Sequence, residues 1–144
     1  MYFDIDIRAL REMDLRFLYS SFVKFIANTT PYNSIDRNVM SAAAHSLMTK
    51  MIKNCDAIVA YNPDDLNQIF GYVIGDANKR HLYFIYVKYD FRKLGIGTKL
   101  IDAMFGLGDK ISQVIYTPSF HKLENKWNLE LNSAPISQLT MEGR

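Results

Sequence analysis

The chain has 144 residues, 49% of them hydrophobic and 22% charged, which is enough apolar content for one domain with a substantial core. The formal net charge is only +2 and no long basic block occurs, which argues against a dedicated nucleic-acid binder. No apolar run is long enough to span a bilayer, the N-terminus lacks a secretory pattern, and the lone Cys55 excludes an intrachain disulfide or a multi-thiolate metal site, so a metal-free protein of the reduced cytoplasm is expected.

Phe3, Ile5 and Ile7 alternate with Asp4, Asp6 and Arg8, the period of a strand with one buried face. Leu15, Leu18, Tyr19, Phe22 and Ile26 follow helical spacing. The stretch from Asn28 to Ser34, with Pro31, reads as a loop. Met40, Ala44, Leu47, Met48, Met51 and Ile52 resume a helical stripe, with Asp36 as its start signal. Strands are expected at 57–61 and 69–74, joined by the turn Asn62-Pro63-Asp64-Asp65 as an antiparallel hairpin. After the polar turn Asp76 to Lys79 comes an aromatic strand at 81–87. A helix from Thr98 to Phe105 ends at glycines 106 and 108. A fifth strand is expected over Ile111 to Tyr116. Thr117-Pro118 then reads as an N-cap with proline at the first helical position, opening a helix to Trp127.

Between the aromatic strand and its helix lies Arg92-Lys93-Leu94-Gly95-Ile96-Gly97. Strand, glycine turn and helix in that order make a backbone cradle for phosphate: glycine lets the main chain approach closely, and a helix start offers unpaired N–H groups to an anion. The spacing fits neither a Walker lysine loop nor a dinucleotide fingerprint. The order β-α-α-β-β-β-α-β-α, with a largely antiparallel front half, is also not the alternation of a doubly wound fold.

In this frame, the segment from Tyr86 to Ile101 resembles the GNAT superfamily of acyl-CoA-dependent N-acyltransferases, whose comparable segment reads as an apolar strand, V-x-x-x-x-R-x-x-G-x-G and a helix with an early leucine. Ile7-Arg8 with Asp14 is similar to the family's first strand and helix. The resemblance covers most of residues 2–127. It implies a mixed α/β fold with a central, twisted, mostly antiparallel sheet flanked by helices. It implies acetyl-CoA as co-substrate and an amine-bearing acceptor, protein or small molecule. Carried onto this chain, the backbone of Ile85, Tyr86 and Val87 would meet the pantetheine arm. The amides of Lys93, Leu94, Gly95, Ile96, Gly97 and Thr98 would meet the pyrophosphate, with Arg92 bracing the turn.

The family reaction needs a base or ordered water for the amine and a strand amide for the oxyanion. The strand Arg80 to Val87 carries no Asp or Glu. Alternation puts His81, Tyr83, Ile85 and Val87 on one face, with Leu82, Phe84 and Tyr86 on the other. The final helix carries no tyrosine, although Tyr116 precedes it and Ser119 and His121 lie on its first turns. The catalytic candidates are therefore His81, Tyr83, Tyr116 and His121. Asp76 reads as a turn residue, Cys55 as a small buried one and Trp127 as a core anchor.

Family members usually end in two further strands, whereas only Asn128 to Asn132 suggests one here. The last hairpin is lost or supplied by a partner copy, and a single domain over 1–132 with a loose tail over 133–144 is expected. The shortened end looks similar to compact acetyltransferase-like proteins of bacteriophages, which would place the protein in a host cytoplasm or a virion. Two functions follow: an N-acetyltransferase acting by direct amine attack, or an inactive relative serving as a phage structural or partner-binding factor.

Overall fold

The structure, a computed structural model, describes residues 4–131; the expected tail over 133–144 lies outside them. Six strands form one sheet in sequence order: β1 (Asp6–Ala9), β2 (Asp56–Asn62), β3 (Asp65–Asp76), β4 (His81–Val87), β5 (Ile111–Gln113) and β6 (Leu129–Leu131). Neighbours are antiparallel from β1 to β4, and β5 and β6 each run parallel to the strand before. Helices α1 (Leu15–Asn28) and α2 (Arg37–Asn54) cover one face, and α3 (Ile96–Phe105) and α4 (Phe120–Trp127) the other. The expected mixed α/β, mostly antiparallel architecture is what the chain adopts.

Each helix follows its apolar stripe. Leu18, Phe22 and Ile26 of α1 pack with Ala44, Met48 and Met51 of α2 over Val59, Tyr72 and Ile74. Leu100, Ile101 and Phe105 of α3 pack with Phe120 and Trp127 of α4 over Val73 and Leu82. The Asp36 carboxylate caps α2 by accepting from the Val39 N–H at 3.1 Å, as its position suggested. Arg8, on β1, donates to Asp14 at 2.5 and 3.0 Å, and the Arg11 N–H adds a third bond at 2.8 Å. Burial alone would raise the Asp14 carboxyl, but the Arg8 hydrogen bond and the Arg11 amide outweigh it and hold it below the usual range. The pair ties the first strand to the start of α1.

Several boundaries differ from the sequence reading, most clearly in β3, β5 and α4. Strand β3 extends to Asp65 and Asp76, because pairing with both β2 and β4 carries it beyond its apolar centre. Strand β5 stops at Gln113; the Val114 N–H still bonds the Leu82 carbonyl of β4 at 2.8 Å, and Val114 and Ile115 stay buried beyond the strand's end. Helix α4 starts at Phe120, not Pro118. The Phe120 N–H bonds the Thr117 carbonyl at 2.9 Å in a turn, and the Thr117 hydroxyl meets that of Ser119 at 3.0 Å.

The consequential difference lies in β4. Ile74 faces Phe84, but Gly75 faces Leu82, so one extra residue of β4 is bulged. The alternation therefore breaks at Tyr83. Tyr83 joins Phe84 and Tyr86 on the α1 side, while Leu82 joins Ile85 and Val87 on the α3 side. The expected grouping of Tyr83 with Ile85 and Val87 is corrected by this bulge, which an unbroken run of aromatic and apolar residues does not announce.

Candidate acetyl-donor site

Strand β5 pairs with β4 only at His81 and Leu82. Beyond them, the two strands part. The Lys88 N–H bonds the Phe70 carbonyl of the chain entering β3's paired stretch at 2.9 Å. By antiparallel alternation, the backbone groups of Tyr86 and Phe84 then also face β3, while those of Ile85 and Val87 face the gap. The Val87 carbonyl is taken by Arg92 Nε at 2.8 Å; among the described residues, the Ile85 and Val87 amides have no strand partner on that side.

A cavity of about 730 Å³ fills this gap. Its first wall is Phe84 to Val87. Its second is the turn and the start of α3: Phe91 to Lys93 and Gly95 to Thr98. Its third is Thr117 to Ser119 with Lys122, Leu123, Lys126 and Trp127, and its last is Phe25 with Asn28 to Thr30. Nine of the ten residues expected to hold the acyl donor line it (Ile85, Tyr86, Val87, Arg92, Lys93, Gly95, Ile96, Gly97 and Thr98). Leu94 does not, and its side chain is largely exposed.

The turn is shaped for its place. Gly95 has φ of 82°, and Lys93 has φ of 67°, a left-handed region that glycine enters without strain. The first amide bond of α3 runs from Lys99 to Gly95 at 3.0 Å, leaving the amides of Ile96, Gly97 and Thr98 ahead of the helical ladder. Gly97 is needed for another reason: a Cβ there would lie 3.2 Å from the Trp127 ring. Trp127 also donates its indole N–H to the Thr98 hydroxyl at 3.1 Å. The expected core anchor is thus the prop beneath the glycine turn.

Among the described residues, four cations, Arg92, Lys93, Lys122 and Lys126, line the cavity, and no Asp, Glu or His does. Lys122 and Lys126 escaped the sequence reading, although their four-residue spacing puts them on one helix face. The unpaired amides, the close backbone approach and the cationic walls together fit a polyanionic ligand with a diphosphate.

The four catalytic candidates lie outside the lining. His81 opens β4 opposite Asp76 and Ser112. Tyr83 is buried in the core on the α1 side. Tyr116 and His121 do meet, with Oη and Nε2 at 2.8 Å, and Glu124 stands 4.0 Å from His121 Nδ1. That cluster faces solvent, and the Tyr116 carbonyl accepts from the Tyr32 hydroxyl at 2.8 Å. Burial pushes the Cys55 thiol up to about 12, leaving it protonated and unsuited to nucleophilic attack. Among the described residues, no group of three or more His, Cys, Asp or Glu is placed to hold a metal, and no helix is long and apolar enough to cross a membrane.

A family model described as an acetyltransferase (GNAT) domain matches residues 26–114, and the chain belongs to that family. No curated protein is matched. Among solved structures, the fold is similar to a GCN5-related N-acetyltransferase of Rhodopseudomonas palustris (20% identity, TM-score 0.52, covering 72% of this chain and 65% of that one). It is also similar to apo YjaB of Escherichia coli (20% identity, TM-score 0.51, covering 70% and 64%). A Pyrococcus furiosus protein named for acetyl transfer is covered more fully (20% identity, TM-score 0.53, covering 85% and 91%). This chain therefore spans just under two thirds of the first two structures' own length.

Proposed function

We propose that this protein is an N-acetyltransferase that takes acetyl-CoA into the gap between β4 and β5 and passes the acetyl group to a primary amine. The observation that carries this reading is the cavity itself: nine of the ten residues expected from the family motif line it, with cations and, among the described residues, no carboxylate. The amides of Ile96, Gly97 and Thr98 would hold the diphosphate, helped by the helix field and by Arg92 and Lys93. The backbone groups of Ile85 and Val87 would hold the amide-bearing arm.

Acetyl-CoA supplies a thioester with an electrophilic acyl carbon. The Val87 N–H stands on the open edge as the donor for the oxyanion. The amine nitrogen attacks, the C–N bond forms, the C–S bond breaks and the nitrogen gives its proton to water. Water serves as base because no lining residue among the described ones is a His or a carboxylate. A thiol ionises near pH ~8.5, so the leaving sulfur is readily reprotonated by solvent, with the Thr117–Ser119 hydroxyl pair on that wall as the adjacent donor set.

A thermal melt with acetyl-CoA tests the binding half. Ligand at about a hundred times its Kd stabilises by about 2.7 kcal/mol, a rise in Tm of about 5–10 °C for a domain of this size; no shift at millimolar ligand would overturn the reading. The chemical half predicts a kcat/KM that climbs with pH up to the acceptor amine's own pKa. A plateau near pH ~6.5 would instead reveal a histidine base.

A further inference from the structure

The acceptor can be narrowed from the walls of the same cavity, an inference that rests on the acetyl-transfer reading. Because β4 and β5 part, the cavity reaches both faces of the sheet. The four cations stand on the turn and on α4. The α1 side offers Phe25, Phe84 and Tyr86, with Asn28, Thr29 and Thr30. We infer that the acceptor is a primary amine bearing a single positive charge on an aromatic or apolar body, and that polyamines and aminoglycosides are not substrates.

A carboxylate is what a second ammonium would need, and among the described residues none lines the cavity. An ammonium drawn out of water without such a partner is strongly disfavoured. Two of the neutral polar side chains on the α1 side, Asn28 and Thr29, are already engaged. Asn28 donates to the Lys24 carbonyl at 2.8 Å and accepts from Arg37 at 2.9 Å. The Thr29 hydroxyl donates to the Phe25 carbonyl at 2.5 Å. A molecule with one amine has one charge to lose, and it loses that charge to water before attack. Its body then meets Phe25 and Phe84, whose rings lie 5.4 Å apart and present the apolar contact that a flat or aliphatic group prefers.

The test measures thiol release from acetyl-CoA by the full chain with 2-phenylethylamine, the tripeptide Phe-Gly-Gly, spermidine and kanamycin. Either monoamine should exceed both polycations in kcat/KM by at least about tenfold, and the better of the two identifies a free amine or a peptide end as the source. Equal or better turnover of spermidine or kanamycin overturns the inference while leaving acetyl transfer standing. No release from any of the four also overturns it, and absence of an acetyl-CoA thermal shift removes the parent reading as well. Thr30→Glu adds the missing carboxylate to the α1 side. It should narrow the gap by about tenfold through a lower KM for spermidine, and an unchanged ratio would show that charge on this wall does not select the acceptor.

Discussion

The two halves of β4 have the same kind of sequence and opposite fates. His81 and Leu82 are sealed between β3 and β5. Phe84 to Val87 keep β3 but lose β5, and form a wall of the cavity. One bulged residue stands between them. Composition does not separate the halves; the neighbour on one edge does. A strand becomes a binding surface where its ladder stops, because only there are N–H and C=O groups left to offer a ligand.

The largest expected effect comes from removing what props the open half. Trp127→Ala should destabilise the protein by about 3–5 kcal/mol and abolish the acetyl-CoA thermal shift in the molecules that stay folded; retention of the full shift would show that the turn needs no support from α4. Next, Gly75→Val strikes the closed half. A Cβ there would sit 2.5 Å from the His81 carbonyl, so denaturant unfolding should show a loss of about 1–3 kcal/mol or more. Arg92→Ala frees the Val87 carbonyl and removes one cation. It should weaken acetyl-CoA binding about tenfold by calorimetry, with stability changed by about 1 kcal/mol. The smallest effect belongs to His81→Ala in the sealed half, with kcat/KM held within about twofold and the pH profile unmoved. A large loss there would make the closed half part of the chemistry.

The glycine turn was legible because its shape depends on local backbone, and local backbone is written in adjacent residues: Gly95, Gly97 and the helix after them. The strand order was legible from periodicity for the same reason. The bulge was not, since Tyr83 is as aromatic as Tyr86 and nothing in its type says which face it takes. The α4 wall was hidden differently. Trp127 reads as a core residue and is one, being 6% exposed; its second task beneath Gly97 depends on a contact between positions 30 apart in sequence. The acid–base candidates His81, Tyr83, Tyr116 and His121 lie along β4 and at the last helix, where the family resemblance places such groups. The cavity shows instead a wall of cations, with no His or carboxylate among the described lining residues.

The Trp127–Thr98 bond also sets an order of assembly. The turn, α3 and most of the sheet are made before α4 leaves the ribosome, and the stretch matched by the family model ends at residue 114. Until Trp127 arrives, the nascent chain carries the family's signature turn without its support. Contacts between distant positions form late because their loops must close first. On the proposed function, competence to hold the acyl donor would be gained in one of the last steps of maturation, and a partly synthesised chain would carry the motif without the site.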